Sequence, residues 1–154
     1  MTANVQEGAK APSFKIETTQ GARKLSDYKG KYLVLYFYPK DDTPGCTNEA
    51  KNFSELSESF SEANAEVLGV SKDTLAKHEK FIAKHDLNVT LASDENGALC
   101  EAFGVWVEKN MYGRKYMGIQ RATFLIDPKG VIQTIWPKVK VKGHADAVLG
   151  AIGG

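Results

Sequence analysis

Apolar residues recur along this chain with two periods, and the switches between them mark its elements. Tyr32-Leu-Val-Leu-Tyr-Phe-Tyr38 is continuously apolar and ends at Pro39, the pattern of a strand buried on both faces. From Pro44 to Glu62 the period lengthens, and Ala50, Phe53, Leu56 and Phe60 fall on one helical stripe. Glu66 to Ser71 reads as a second central strand, after which Asp73 caps a helix whose Leu75, His78 and Ile82 share a face. Ser13 to Thr19 is a short strand closed by a turn at Gln20-Gly21, and Val89 to Ser93 is a brief extended piece. Asp94 caps a helix carrying Leu99, Cys100 and Phe103, which Gly104 stops. Residues 108–118 read as a long polar loop. Ala122 to Asp127 and Val131 to Trp136 flank an Asp-Pro-Lys-Gly turn and predict an antiparallel hairpin. Lys138-Val-Lys-Val-Lys142 reads as a solvated edge strand, and a last helix runs from about His144 to Ile152.

Crossovers suited to parallel strands come first and a hairpin comes late. That order predicts an α/β chain with a thioredoxin-like fold, a mixed β-sheet flanked by helices. At 154 residues and 42% hydrophobic, the chain suits a single domain over 1–154, large enough to bury a core without staples. Twenty Lys+Arg against nineteen Asp+Glu leave a formal +1, so net charge holds neither nucleic acid nor an anionic membrane. Met1 to Lys10 shows no secretory leader, the longest apolar run is too short to span a bilayer, and Gly153-Gly154 reads as a frayed end. A cytoplasmic location is expected. Two cysteines make neither a disulfide scaffold nor a four-thiolate zinc site, so each thiol needs its own explanation.

Cys46 has the more informative setting. Thr43 followed by Pro44 is a helix-start signal, with Thr as N-cap and Pro at the first helical position. Gly45 and Cys46 are then the second and third positions, where a sulfur faces unpaired N–H groups and the positive end of the helix dipole; both favour the thiolate, and the Thr43 hydroxyl in the same turn is expected to donate to the sulfur or to an oxygen approaching it. Cys46 also shares the stripe of Phe53, which puts the sulfur in a pocket floor. The alternative is a small, inert core cysteine, which the position at the helix start disfavours. Arg121 stands at the entry to a strong strand, on the face of Thr123 and Leu125. A guanidinium there needs an anion or thiolate, or else it snorkels to water.

Pro39-x-x-x-Thr43-x-x-Cys46, with Arg121 ahead of Thr-Phe-Leu-Ile-Asp127, resembles the peroxiredoxin family. Ala11-Pro12-x-Phe14, Leu25-Ser-Asp-Tyr-Lys-Gly-Lys31, Leu35-Tyr-Phe-Tyr-Pro39, His78-x-x-Phe81 and Gly143-His144 resemble its bacterioferritin-comigratory, or Q-type, subfamily. The resemblance implies that Cys46 is the peroxidatic cysteine and that Pro39, Thr43 and Arg121 complete its pocket, with Pro44 and Gly45 lining it. Glu49 matches an acidic position that helps to hold the Arg. It further implies a thiol-dependent peroxidase without metal or organic cofactor, acting on hydrogen peroxide and organic hydroperoxides. Thioredoxin, glutaredoxin or a small thiol would be the reductant, and the protein would be a monomer or weak homodimer.

The pattern breaks at the resolving cysteine. Many members carry one five residues after the first, where this chain has Lys51; others carry it in the following helix, but Asp73 to Asp86 contains none. Cys100, beside Leu99 and Phe103, reads as core-facing. A one-cysteine cycle is therefore expected, with a two-cysteine cycle through Cys100 as the alternative. His78, His85 and His144 have no ligand spacing with either thiol, and a Cys-His hydrolase would need one of them oriented onto Cys46. Trp106 and Trp136 read as packing residues. A non-enzymatic peroxide sensor relaying oxidation to a partner thiol and a chaperone-like thioredoxin-fold protein are the readings from other classes.

Overall fold

In the computed structural model, which describes residues 5–152, an antiparallel pair comes first: β1 (Lys15–Thr18) and β2 (Gly21–Lys24). The Gly153-Gly154 end lies outside the described residues. After a 3-10 turn at Leu25–Tyr28 come β3 (Tyr32–Phe37), α1 (Pro44–Glu55), α2 (Ser57–Glu62), β4 (Ala65–Ser71), α3 (Leu75–His85) and β5 (Thr90–Ser93). The chain continues through α4 (Ala98–Ala102), the strand pair β6 (Trp106–Met111) and β7 (Arg114–Ile119), then β8 (Ala122–Ile126), β9 (Ile132–Trp136) and α5 (His144–Ala151). One sheet has the order β2-β1-β5-β4-β3-β8-β9, while β6 and β7 pair separately. β3, β4 and β5 are parallel, joined by helical crossovers, and β8 and β9 close one side antiparallel. This is the expected mixed sheet flanked by helices.

Alternation along β3 divides the core in two. Leu33, Leu35 and Phe37 pack with Cys100, Phe103 and Phe124, whereas Val34, Tyr36 and Tyr38 pack with Cys46, Ala50, Phe53 and Val148. Successive side chains of a strand point to opposite faces, so the two cysteines belong to opposite faces of the sheet. Tyr36 lies over Gly69, its register partner on β4; a Cβ at Gly69 would come within 2.6 Å of the Tyr36 ring.

Several local expectations are corrected. The helix expected over Pro44–Glu62 breaks at Leu56 into α1 and α2. Serines flank the break, and Asn88 uses two of them, with its N–H on Ser54 Oγ at 2.6 Å and its amide on Ser57 Oγ at 2.9 Å. Residues 108–118 form most of the hairpin β6–β7, turning at Tyr112 and Gly113, both at positive φ, as a two-residue primed turn requires. Its exposed faces carry no alternation, which is why it reads as a loop. Thr74, and not Asp73, caps α3, accepting from Lys77 N–H at 3.2 Å. Asp94 does serve α4, but from three residues before the N-cap Gly97, accepting from Leu99 and Cys100 N–H at 3.0 and 2.8 Å. Lys138–Lys142 forms no strand: Pro137 follows β9, and the segment's one tie to the sheet is Val139 N–H on the Arg121 carbonyl.

Candidate active site

β3 delivers the chain to the loop that precedes α1. Pro39 cannot extend the ladder, and Asp42 turns the backbone at φ 63°. Thr43 is extended (φ −93°, ψ 154°), and its carbonyl accepts the first helical bond, from Thr47 N–H at 2.8 Å. Pro44 occupies the first helical position, as its fixed φ and missing N–H favour. Gly45 and Cys46 follow, with N–H groups that have no carbonyl a turn behind them. Cys46 is only 1% exposed and sits among Tyr36, Ala50 and Phe53.

Arg121 reaches this sulfur from across the sheet. β8 runs antiparallel to β3 with Ala122 opposite Phe37, so Arg121 falls opposite Tyr38, beside the loop. Its Nη2 donates to Cys46 Sγ at 3.3 Å and its Nη1 to Glu49 Oε1 at 2.6 Å. Gly45 makes room for this approach: a Cβ there would lie 3.1 Å from Nη2. Burial opposes the guanidinium's charge, but Glu49 and Cys46 more than offset it and raise its pKa above the ordinary value. Burial raises the Glu49 carboxyl to about 7 against the pull of Arg121.

Thr43 differs from expectation in one respect. Its hydroxyl donates to the Lys40 carbonyl at 2.9 Å and makes no capping bond to α1. The proton is therefore already placed, and the oxygen offers lone pairs to whatever approaches. Pro39 and Pro44 are exposed and contribute backbone geometry. The site thus gathers Thr43, Pro44, Gly45, Cys46 and Glu49 on one loop-to-helix turn, with Arg121 brought from β8.

Cys100 is not part of it. Cys100 is buried in α4 on the other face of the sheet, and its thiol is pushed up by burial and then by the hydrogen bond it donates to Asp94. A disulfide needs Cα atoms within about 7 Å, and the sheet stands between these two.

Three further residues lie around this site without a role assigned from the sequence. Lys109 on β6 has its pKa lowered by burial and by Arg121, while Cys46 pulls it upward, so the hairpin brings a second cation near the sulfur. His144, at the start of α5, is held at about 4 by burial and by Arg121, with Nε2 2.8 Å from Thr123 Oγ1. Tyr36 stacks on Phe53 at 4.6 Å and keeps a buried hydroxyl without a partner, as does Glu49 Oε2. His144 and Tyr36 stand in motifs that the family resemblance rests on, and the Tyr112-Gly113 turn is the local signal for the hairpin that carries Lys109.

Known proteins resemble this chain over most of its length. Residues 8–135 match the AhpC/TSA family. A Coxiella burnetii protein named putative peroxiredoxin bcp is 50% identical over 97% of this chain and 99% of its own length, and Bacillus subtilis peroxiredoxin Bcp is 51% identical over 94% of this chain and 93% of its own. The structure of Xanthomonas campestris bacterioferritin comigratory protein, solved in connection with its alkyl peroxide reduction activity, superposes with a TM-score of 0.85 at 47% identity, covering 90% of this chain and 89% of that one. The chain belongs to the AhpC/TSA family and is a peroxiredoxin of the Bcp, or Q, type, a thiol-dependent peroxidase. No helix among the described residues is long and apolar enough to cross a membrane.

Proposed function

We propose that Cys46 is the sulfur that reacts with peroxide, within a pocket formed by Pro39, Thr43, Pro44, Gly45, Glu49 and Arg121, and that it works by a one-cysteine cycle on hydrogen peroxide and organic hydroperoxides. The observation that carries this reading is Arg121 bridging the Cys46 sulfur and Glu49 at the start of α1. The thiolate attacks one peroxide oxygen. The S–O bond forms as the O–O bond breaks, and the leaving oxygen takes a proton to depart as water or an alcohol. Charge builds on that oxygen in the transition state, where Arg121 and the Gly45 and Cys46 N–H groups are the available donors. Thr43, its proton given to Lys40, accepts the hydrogen bond of the peroxide O–H. Glu49 keeps the guanidinium in register. The sulfenic acid returns to the thiol when an external thiol forms a mixed disulfide with it, releasing water, and a second thiol resolves that bond.

The burial of Cys100 on the opposite face supports the one-cysteine cycle over one closed within the chain. Intact-mass measurement after one equivalent of peroxide tests both points. The expected product carries one added oxygen, is captured by a sulfenic-acid trap and retains a free Cys100; Cys46→Ser gives none of it. Rapid quantitative formation of a Cys46–Cys100 disulfide would overturn the cycle, and undiminished turnover of Cys46→Ser would overturn the site. Thioredoxin, glutaredoxin and small thiols are compared as reductants in the same turnover assay.

A further inference from the structure

The loop ahead of Cys46 is gripped from behind by a buried hydrogen-bonded chain that takes no part in the chemistry above. Tyr38 hydroxyl donates to Asp41 Oδ1 at 2.5 Å, Asp41 Oδ2 lies 2.7 Å from His78 Nδ1, and His78 Nε2 lies 2.8 Å from the Ala92 carbonyl. His78 is 0% exposed and Asp41 9%. The Asp41 backbone is held as well, its N–H donating at 2.9 Å to Asp73 Oδ2, which also takes the Ser71 hydroxyl at 2.6 Å. One residue further on, Asp42 meets Lys84 and His85 of α3, each at 2.7 Å.

The partners fix the protons. A carbonyl only accepts, so His78 Nε2 carries a hydrogen. One further proton must then lie between His78 Nδ1 and Asp41 Oδ2, on one or the other, because two lone pairs would otherwise meet at 2.7 Å. Asp41, Asp73 and His78 bring potential ligand atoms within 4.8 Å of one another, but each of these atoms is already engaged in a hydrogen bond. These bonds make the cluster a clamp on the loop.

We propose that Asp41 and His78 are a positioning pair for the peroxidase reaction, tying the loop that carries Thr43 and the first turn of α1 to α3 and β5; this rests on the reading of Cys46 as the reacting sulfur. Asp41 stands two residues before Thr43, and the strained turn at Asp42 between them is a conformation that surrounding contacts must hold.

The test compares rates of Cys46 oxidation by hydrogen peroxide in Asp41→Ala, His78→Leu, their double variant and Asp41→Asn. The two single variants are expected to slow oxidation by about ten- to a hundredfold, the scale of a misplaced reacting group. The double variant should match the singles, because each already breaks the same pair. The amide of Asp41→Asn offers Tyr38 the same acceptor and gives His78 Nδ1 a donor, so it should restore the rate. Amide exchange of residues 40–46 should accelerate in Asp41→Ala while β3 and β4 stay protected, a readout independent of which sulfur reacts. Unchanged rates and unchanged exchange in Asp41→Ala and His78→Leu would overturn the proposal, as would fully additive losses in the double variant. If Asp41→Ala does not fold, His78→Leu against Asp41→Asn decides the same question. Loss of the Cys46 reading would show separately, as activity surviving in Cys46→Ser.

Discussion

At the residue scale, the reactivity of Cys46 depends on a few atoms whose removal has distinct signatures. Arg121 supplies a charge-assisted donor at the sulfur, 3.3 Å away, so Arg121→Ala should slow peroxide oxidation by about 10²–10³-fold in stopped-flow measurements. Gly45→Ala reaches the same group indirectly. Its Cβ would press on Nη2 at 3.1 Å, and the expected result is a slower reaction with the helix intact by circular dichroism. Thr43 separates hydroxyl from shape. Thr43→Ser keeps the oxygen that accepts from the peroxide and should react at nearly the wild-type rate, whereas Thr43→Val should lose about 10²-fold or more. Equal rates for the two would remove Thr43 from the reaction.

At the element scale, the site depends on how closely β3 and β4 approach α1. Tyr36 fills the space above Gly69 and stacks beneath Phe53 of α1, so one aromatic ring links two strands to the reactive helix. Gly69→Ala would drive a methyl into the Tyr36 ring and Leu91, at 2.6 and 2.8 Å. Overpacking of this kind costs about 1–3 kcal/mol, which urea denaturation should register as a lower midpoint with an unchanged slope. The hairpin β6–β7 works differently: its exposed Met111, Tyr112 and Met117 add little to the core, and it brings Lys109 toward Arg121.

Two buried groups make the stability of the whole molecule depend on pH in opposite directions. Glu49 keeps its proton to about 7 when folded but releases it near the ordinary carboxyl range when unfolded, so its contribution declines as pH rises toward 7. His144 stays neutral down to about 4 when folded but takes a proton near 6.5 when unfolded, so its contribution declines as pH falls from 6.5 to 4. The two offset each other across mildly acidic pH. Glu49→Gln removes the first, and its stability should fall more steeply than wild type on acidification from pH 7, followed by chemical denaturation at several pH values. A parallel slope would mean that Glu49 is ionised throughout that range.

Local chemistry was legible in the chain itself. The apolar run of β3, the Thr43-Pro44 start of α1, the position of Cys46 on its first turn and the turn joining β8 to β9 all depend on residues near one another in sequence. Backbone propensity and period are decided at that range. The pairing of Arg121 with Cys46 was carried by a family pattern; spacing alone left Arg121 free to face water. What only the folded molecule decided joins distant segments. β8 lies beside β3 and so brings Arg121 to the loop; the sheet divides Cys46 from Cys100; His78 closes on Asp41; and the exposed hairpin carries Lys109 inward. Thr43 was recognised as the cap position, but where its proton goes was decided by the loop's own turn back to Lys40. A side chain's partner across a sheet is set by strand order and register, and no local pattern contains them.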